Sequence, residues 1–375
     1  MPRARDGGGD PGLSLWSSGF RPFFLLAAIY GPLSLPLIWT APLLHGHEML
    51  FGFAAALVCG VVLTALPSWS GTAELRGAPL ATLAGLWLAG RVAILGAQWL
   101  PPLLVIVLDS ALLPALLIFL FSTITKARKT LFWWTLPPLA VFAAANFVFH
   151  FSNAHWGLLL GVHALALLFT LYGGLFIPAF TRRYLQARGE RSGAILMPLE
   201  YATAAAMVVF AVSDLLNLSS VVTISAALLA AAVHAIRFAR WRGWRTGGEP
   251  LLWCIHLGYA WLIAALILRA AAELTPRVPR EAWVHAFTIG AYGMLKIGLM
   301  TRVALRHTGR ALHAPPAMRA AFLMVLGGAL LRLAYSVHGL GEWLLAASAL
   351  LWGAAFVVYL SLYAPMLLQP SLPRT

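Results

Sequence analysis

The sequence predicts an all-α polytopic membrane protein with about twelve transmembrane helices in one bundle. Of its 375 residues, 61% are hydrophobic and 10% are charged, whereas soluble domains carry about 25% charged residues. The apolar residues form stretches of roughly 20 residues, which is the length that a helix needs to cross a bilayer core. Basic residues also concentrate in alternate loops. Together these three observations exclude a soluble globule.

Twelve apolar stretches follow one another along the chain, separated by charged residues, prolines and glycines. They lie near residues 20–39, 47–66, 79–99, 102–123, 132–151, 156–180, 196–217, 219–238, 251–272, 282–304, 318–338 and 342–368. We expect an N-terminal arm (1–19), one twelve-helix transmembrane domain (20–368) and a C-terminal tail (369–375). The first helix lacks the features of a cleaved signal peptide, so we expect it in the mature protein.

The basic residues predict the orientation of these helices. Of 26 Lys and Arg residues, all but six fall in the N-terminal arm, at the C-terminus or in the loops after even-numbered helices. The six are Arg277 and Arg280 in an opposite loop, and Arg91, Arg269, Lys296 and Arg332 within helices. By the positive-inside rule, both termini are expected in the cytoplasm. Topology therefore explains the net charge of +14. We expect the lipid bilayer as a partner of the protein and no nucleic acid.

Seven of the eleven histidines gather toward the outer ends of the predicted helices. They are His45, His47, His150, His155, His285 and His338 at the ends, and His163 about two turns inside its helix. Imidazole is the commonest metal ligand in proteins, and ionisable groups within membrane helices usually mark functional sites. All seven are metal-ligand candidates, with His47, His163 and His285 leading. The alternative is that these histidines only mark the membrane interface.

An internal repeat supports the three leading candidates. A shift of 120 residues aligns 172–182 with 292–302, which predicts that the sixth and tenth helices are copies four helices apart. The second helix is a weaker third copy. Each copy carries a histidine 16 to 18 residues before a threonine, so three imidazoles would lie at one depth, roughly 24 to 27 Å above the threonines. The alternative is that helices of similar length place polar residues at similar positions.

A pair of buried charges predicts a second polar layer. Arg91 and Asp109 lie about equally far from the turn at Leu100, so an antiparallel hairpin places them at the same depth. A structural ion pair is the first interpretation, because intramembrane charges usually pair. The second is that Arg91 binds a haem propionate, since guanidinium binds carboxylates in a bidentate manner.

Three further residues are candidates for positions around the ligands. Glu48 follows His47 directly, and ligating histidines usually donate their other N–H to a carboxylate or carbonyl. Glu342 lies shortly after His338 and could orient it in the same way. Lys296 lies eleven residues after His285, on nearly the same helical face, and is expected to line the same interior seam.

Several segments of the chain resemble the NnrS family. They are 20–24 (FRPFF), 45–53 (HGHEMLFGF), 63–71 (LTALPSWSG), 173–183 (GGLFIPAFTRR), 285–293 (HAFTIGAYG) and 300–310 (MTRVALRHTGR). The resemblance spans nearly the whole chain. It departs from the family pattern at Leu175-Phe176, where we expect a polar or basic residue, and at Lys296, where we expect a small or polar one.

The resemblance implies a twelve-helix protein of the bacterial inner membrane that contains haem and copper and takes part in the response to nitric oxide. Such proteins usually accompany denitrification or nitrosative-stress functions. The sequence has no CxxCH motif, so any haem would be bound non-covalently.

The sequence leaves the class of activity open. The first alternative is a redox enzyme like NO reductase or haem-copper oxidase, although this chain has no His-His dipeptide. The second is a secondary transporter with internal repeats around a midplane site. Whether the protein turns over NO or only binds it, and which electron donor it uses, are not determined by the sequence.

Overall fold

The computed structural model describes residues 14–125, 131–190 and 193–373. Long helices joined by short connections make up the described chain, and no strand occurs in these three ranges. The α-helices are α1 (Phe20–Ser34), α2 (Leu37–Thr40), α3 (Pro42–His47), α4 (Ala55–Ser70), α5 (Ala78–Leu95), α6 (Pro102–Ser110), α7 (Leu112–Ile124), α8 (Leu136–Phe151), α9 (Ala154–Ala187), α10 (Met197–Leu215), α11 (Ser220–Arg240), α12 (Pro250–Leu274), α13 (Glu281–His285), α14 (Met294–His307), α15 (Pro316–His338) and α16 (Glu342–Leu368). Two π-helical segments connect α-helices without a loop. They are π1 (Glu48–Ala54), between α3 and α4, and π2 (Ala286–Gly293), between α13 and α14.

Ten helices of the described chain are long and apolar enough to cross a membrane. The prediction of a multi-pass helical membrane protein is therefore confirmed. The predicted spans 20–39 and 282–304 are not among the ten. The first is divided into α1, of 15 residues, and the short α2. The second is divided among α13, π2 and α14, and it carries the charged residues Lys296 and Arg302.

Some of the basic residues used to predict orientation fall outside the described residues. They are Arg3, Arg5, Lys126, Arg128, Lys129, Arg191 and Arg374.

The chain divides into two compact units. The first unit contains Met1–Ala154, Met300–His313 and Val357–Thr375, and the second contains His155–Leu299 and Ala314–Phe356. Each unit is built from helices that are distant in sequence, because segments from the C-terminal part of the chain join both of them.

The first unit is organised around the span Pro42–Ser68, whose most apolar part is almost entirely buried. Helix α1 packs along π1 and α4, and this close packing requires a small residue at Gly60, where a Cβ would lie 2.7 Å from the Phe24 ring. Helices α5 and α6 pack as a hairpin. A Cβ at Gly90 would lie 3.0 Å from the Asp109 Cα, so glycine lets the helix that carries Arg91 approach the helix that carries Asp109.

A break between α6 and α7 interrupts the predicted span 102–123. Helix α6 ends at Ser110 and α7 begins at Leu112. Proline at position 114 explains the break, since it has no N–H for the carbonyl of Ser110 and its ring clashes with that carbonyl. The break lies directly beside Asp109.

Arg21 fixes the C-terminal segment of the first unit. Its side chain is buried, and its Nη1 donates to the carbonyls of Leu367 and Gln369 at 2.7 Å each. Its Nη2 donates to the Ser371 Oγ at 2.9 Å. Arg21 therefore belongs to the packed helices of the first unit.

The second unit is built around α12, which packs against α11, α13 and π2. Glycines allow close approach here as well. A Cβ at Gly258 would lie 2.8 Å from the Leu295 backbone nitrogen, and one at Gly290 would lie 2.5 Å from the Trp261 ring. Small residues at helix crossings are typical of membrane bundles, where backbone proximity replaces the hydrophobic driving force.

Candidate metal centre

Three side chains with metal-ligand atoms converge in the first unit. His47 ends α3, Asp109 lies one residue before the end of α6, and His150 lies in the last turn of α8. Their ligand atoms all lie within 4.8 Å of one another. His47 and Asp109 are buried and His150 is half-buried. We define the Asp109 network as His47, Glu48, Arg91, Asp109, Asn146 and His150.

The carboxylate of Asp109 is the centre of this network. Its Oδ2 lies 3.1 Å from His47 Nε2, 2.8 Å from His150 Nε2 and 2.9 Å from Asn146 Nδ2. An ionised carboxylate only accepts hydrogen bonds, so both imidazoles and the amide donate to it. Metal ions replace such imidazole protons when they bind. The three groups could therefore hold one cation.

Arg91 links the two carboxylates of the network, Glu48 and Asp109. Arg91 Nη1 donates to Glu48 Oε2 at 2.6 Å, and its Nη2 forms an ion pair with Asp109 Oδ1. The expected pairing of Arg91 with Asp109 is thus observed. Because both terminal nitrogens of Arg91 are committed to carboxylates of the protein, the geometry favours the structural ion pair over the propionate interpretation.

The second carboxylate of the network, Glu48, faces the other side of the imidazole. Its Oε1 accepts from His47 Nδ1 at 2.7 Å, and its Oε2 also accepts from the Tyr30 hydroxyl. This is the contact that the sequence predicted between Glu48 and His47. A neutral imidazole has one N–H, so donation from both ring nitrogens makes His47 an imidazolium that balances the charges of the network. A metal ion at Nε2 would displace that proton, and the two carboxylates and the Arg91 guanidinium would then leave one net negative charge for the cation.

The π-helical segment π1 positions this network. It begins at Glu48, directly after His47, and such segments are rare and frequent at functional sites. Gly52 lies within it, where a Cβ would be 2.7 Å from the Tyr30 ring and 3.2 Å from Arg91 Nη1. Trp87 Nε1 donates to the Gly52 carbonyl at 2.9 Å. Only glycine leaves room for both Tyr30 and Arg91 to reach Glu48.

The donor set has a recognisable chemistry. Two imidazoles and one carboxylate suit copper, zinc or iron, and three protein ligands leave a coordination position open for a small molecule. Among the residues that the structure describes, this is the one group of three or more His, Cys, Asp or Glu side chains with suitable spacing.

The second unit contains a related arrangement, which we define as the Asp214 network of His163, Asp214, Arg269 and Arg280. Asp214 is fully buried near the end of α10, and its Oδ2 accepts from His163 Nε2 at 2.9 Å. Its Oδ1 accepts from Arg269 Nε at 2.7 Å and from Arg280 Nη2 at 2.8 Å. The buried aspartate is again shared between a histidine and arginine.

His285, a leading candidate of the sequence, lies in the second unit with Arg332. Its Nδ1 donates to the Glu281 carbonyl at 3.0 Å, and its Nε2 accepts from Arg332 Nη2 at 2.9 Å. A guanidinium only donates hydrogen bonds. Arg332 therefore donates to the Nε2 lone pair of His285, which is the lone pair that a metal would need. His285 would ligate a metal only after Arg332 moved away.

The remaining predicted residues lie outside the three-residue group. His45 is half-buried, with Nδ1 3.4 Å from the Ser34 carbonyl, and His155 and His338 are exposed. Glu342 accepts from the Tyr335 hydroxyl at 2.8 Å. Lys296 is buried, with its Nζ 4.9 Å from the centre of the Tyr292 ring.

The proposed repeat has one structural counterpart. His47 and His285 each stand directly before a π-helical segment. His163 lies inside the continuous α-helix α9. The second and tenth predicted helices therefore share a feature that the sixth lacks.

Sequence reasoning missed four members of these networks, Asn146, Asp214, Arg269 and Arg280, and it also missed Tyr30, which donates to Glu48. Asn146 precedes His150 by four residues, and this spacing places both on one helical face, so the pair could have been found. The pairing of Asp214 with Arg269 could have been found from the rule that intramembrane charges pair. Tyr30 gave no signal, because an interfacial tyrosine is common in membrane helices.

The sequence matches the model of the NnrS family, described as NnrS protein, over residues 14–371. The chain belongs to the NnrS family. The NnrS match covers the residues of both networks. No curated protein matches the sequence.

Proposed function

We propose that this NnrS chain is a haem and copper protein of the bacterial inner membrane that protects the cell against nitric oxide. In this proposal α1–α2 and α13–π2–α14 complete twelve transmembrane spans, both termini are cytoplasmic, and the Asp109 network lies toward the outer face. The resemblance to NnrS proteins supports the link to nitric oxide. The observation that carries the proposal is the buried convergence of His47, Asp109 and His150.

The residues of the Asp109 network fit copper. Imidazole and carboxylate are both established ligands of Cu(II), and a cation would neutralise the negative charge that is left when it displaces the proton of His47. Copper bound there would supply an open coordination position for a diatomic molecule and one-electron redox chemistry.

The chain's own residues would prepare this position. Glu48 fixes the orientation of the His47 ring by accepting from Nδ1. Arg91 holds Glu48 and Asp109 together and limits the repulsion between their charges. The centres of the Phe149 and Phe51 rings lie 4.4 and 5.1 Å from the centre of the His47 ring, so apolar side chains border this ligand.

The test is a metal analysis of purified protein with matched histidine variants. Wild type, His150→Ala and Asp109→Asn would be compared with His155→Ala, which removes an exposed histidine outside the network. We expect copper in wild type and His155→Ala and its loss in the other two. Equal copper in all four samples would overturn the site.

Nitric oxide protection and turnover need separate measurements. Cells that depend on this protein would be challenged with an NO donor, and we expect His150→Ala to lose protection while His155→Ala keeps it. Rapid, donor-dependent NO consumption by purified protein would establish an enzyme. Substrate transport by protein free of haem and metal would contradict the proposal and favour the transporter.

A further inference from the structure

Asn146 bridges two of the three ligand side chains of the candidate metal centre. It is 2% exposed, its Nδ2 donates to Asp109 Oδ2 at 2.9 Å, and its Oδ1 accepts from His47 Nε2 at 3.0 Å. An ionised carboxylate only accepts hydrogen bonds, so the nitrogen of the amide must face Asp109. The oxygen of the amide therefore faces His47.

The proton on His47 Nε2 has two acceptors. Asp109 Oδ2 lies 3.1 Å from this nitrogen, and Asn146 Oδ1 lies 3.0 Å from it. Metal ions replace imidazole protons when they bind. A metal ion bound at His47 Nε2 would therefore face the amide oxygen of Asn146 as well as the carboxylate of Asp109.

The spacing of these atoms is that of neighbouring ligands around one metal ion. Bonds of about 2.0 to 2.2 Å from a metal to nitrogen or oxygen place neighbouring ligand atoms roughly 3 Å apart. His47 Nε2 is 3.0 Å from Asn146 Oδ1, and Asp109 Oδ2 is 3.1 Å from His47 Nε2 and 2.8 Å from His150 Nε2. Helix α8 carries both Asn146 and His150, four residues apart and on one face. The amide oxygen thus fits a fourth ligand position.

We propose that Asn146 is a fourth ligand of this metal centre, through its amide oxygen, and that this oxygen is the ligand that a small molecule displaces. The proposal rests on the proposed function in one respect, namely that His47, Asp109 and His150 hold a metal ion. Amide carbonyl oxygen suits hard ions such as Mg²⁺ and Ca²⁺, whereas imidazole suits copper, zinc and iron. On such metals the amide is the ligand most easily exchanged.

The alternative role for Asn146 is to hold Asp109 by a hydrogen bond without touching the metal. Loss of such a partner typically weakens metal binding about 10- to 100-fold, so a lower affinity alone does not distinguish the two roles. The spectrum of the bound metal distinguishes them, because removal of a ligand changes the coordination sphere itself.

The experiment compares Cu(II) and Co(II) bound to purified wild type, Asn146→Ala and Asn153→Ser. Asn153 is the control, because it is an exposed asparagine of the same unit. We expect the electron paramagnetic resonance spectrum of Cu(II) and the visible spectrum of Co(II) to change in Asn146→Ala and to match wild type in Asn153→Ser.

Azide tests whether the amide oxygen is exchangeable. It is a small ligand that should enter the position that Asn146 holds in wild type. We expect azide to bind the Cu(II) of Asn146→Ala about 10-fold more tightly, which is the factor for a competing ligand that holds the position about 90% of the time. Asn153→Ser should bind azide like wild type.

Each role of Asn146 has its own contradicting result. Unchanged metal spectra in Asn146→Ala overturn the ligand assignment, and changed spectra with unchanged azide affinity overturn the exchange. Wild type that binds neither metal contradicts the proposed function, and the ligand assignment falls with it. If Asn146→Ala does not fold, Asn146→Ser replaces it, because the serine hydroxyl can still donate to Asp109 while the amide oxygen is gone.

Discussion

In both units, one buried aspartate accepts hydrogen bonds from an arginine and a histidine. Asp109 is shared by Arg91 and His47 in the first unit, and Asp214 by Arg269 and His163 in the second. The two histidines differ in what remains unpaired. Both nitrogens of His47 contact carboxylates, whereas His163 has one engaged nitrogen and one without a partner in the described ranges.

This difference has a chemical consequence. The Asp109 network gathers several ligand atoms from the protein, so it can hold a bare metal ion. The Asp214 network holds one nitrogen of a buried imidazole, and in the described ranges no third metal-ligand side chain joins His163 and Asp214. A buried aspartate shared by an arginine and a histidine therefore does not by itself make a metal centre.

The largest expected effect is the loss of the Asp109 carboxylate. Asp109→Ala leaves Arg91 with one of its two ion pairs, and the Nε2 atoms of His47 and His150 lose the carboxylate to which they donate. Removing one member of a buried ion pair typically lowers stability by about 3 to 5 kcal/mol. We expect a decrease of that size in the free energy of unfolding, measured in detergent with a denaturant.

Asp214→Ala is the comparison for this variant. Arg269 keeps an ion pair with Glu273 at 2.8 Å, and the Arg280 side chain is 41% exposed, so water replaces part of what is lost. We expect a smaller decrease of about 1 to 3 kcal/mol. A larger loss in Asp214→Ala than in Asp109→Ala would contradict the view that the first network is the more closed one.

Metal removal is the next effect in size. A ligand present at 100 times its dissociation constant stabilises the folded state by about 2.7 kcal/mol. Chelation should therefore lower the melting temperature of wild type and of His155→Ala, and added copper should restore it. His150→Ala should respond to neither treatment; if it responds like wild type, His150 is not a ligand.

A smaller effect is expected at Gly52, which lies in π1 and faces the Tyr30 ring and the Arg91 guanidinium. Gly52→Ala would place a methyl group 2.7 Å from the Tyr30 ring, and overpacking of this kind costs about 1 to 3 kcal/mol. Gly85 in α5 is the control, because a Cβ there meets nothing within 4 Å. Gly85→Ala should be neutral or stabilise the helix by about 0.5 to 1 kcal/mol. Similar melting temperatures for both variants would show that π1 tolerates a side chain.

The sequence predicted the parts of this molecule that follow from one-dimensional rules. Apolar stretches predicted the membrane helices, because their length must match the bilayer. The pairing of Arg91 with Asp109 followed from their equal distance to a turn, and the contact of Glu48 with His47 from their adjacency. Each of these inferences needs only helix geometry and the cost of an unpaired charge in lipid.

The rest depended on which helices become neighbours. His150 joins Asp109 because α8 packs beside α6, and no spacing in the sequence records that contact. The three histidines of the predicted repeat illustrate the limit, since His47 belongs to one compact unit and His163 and His285 to the other. Equal depth along a helix axis does not determine lateral position.

The smallest expected effect is at Arg280, and it tests how far the Asp214 network depends on its exposed member. Arg280 Nη2 lies 2.8 Å from Asp214 Oδ1, but its side chain is 41% exposed, whereas that of Arg269 is 2% exposed. Exposed ion pairs contribute about 0 to 1 kcal/mol, so Arg280→Gln should change the unfolding free energy by less than that upper value. Arg269→Gln should cost more, about 1 to 3 kcal/mol, because it removes a buried donor from the Asp214 carboxylate. If the two variants lost equal stability, the burial of Arg269 would not explain its role, and Asp214 would have to be held by both arginines equally.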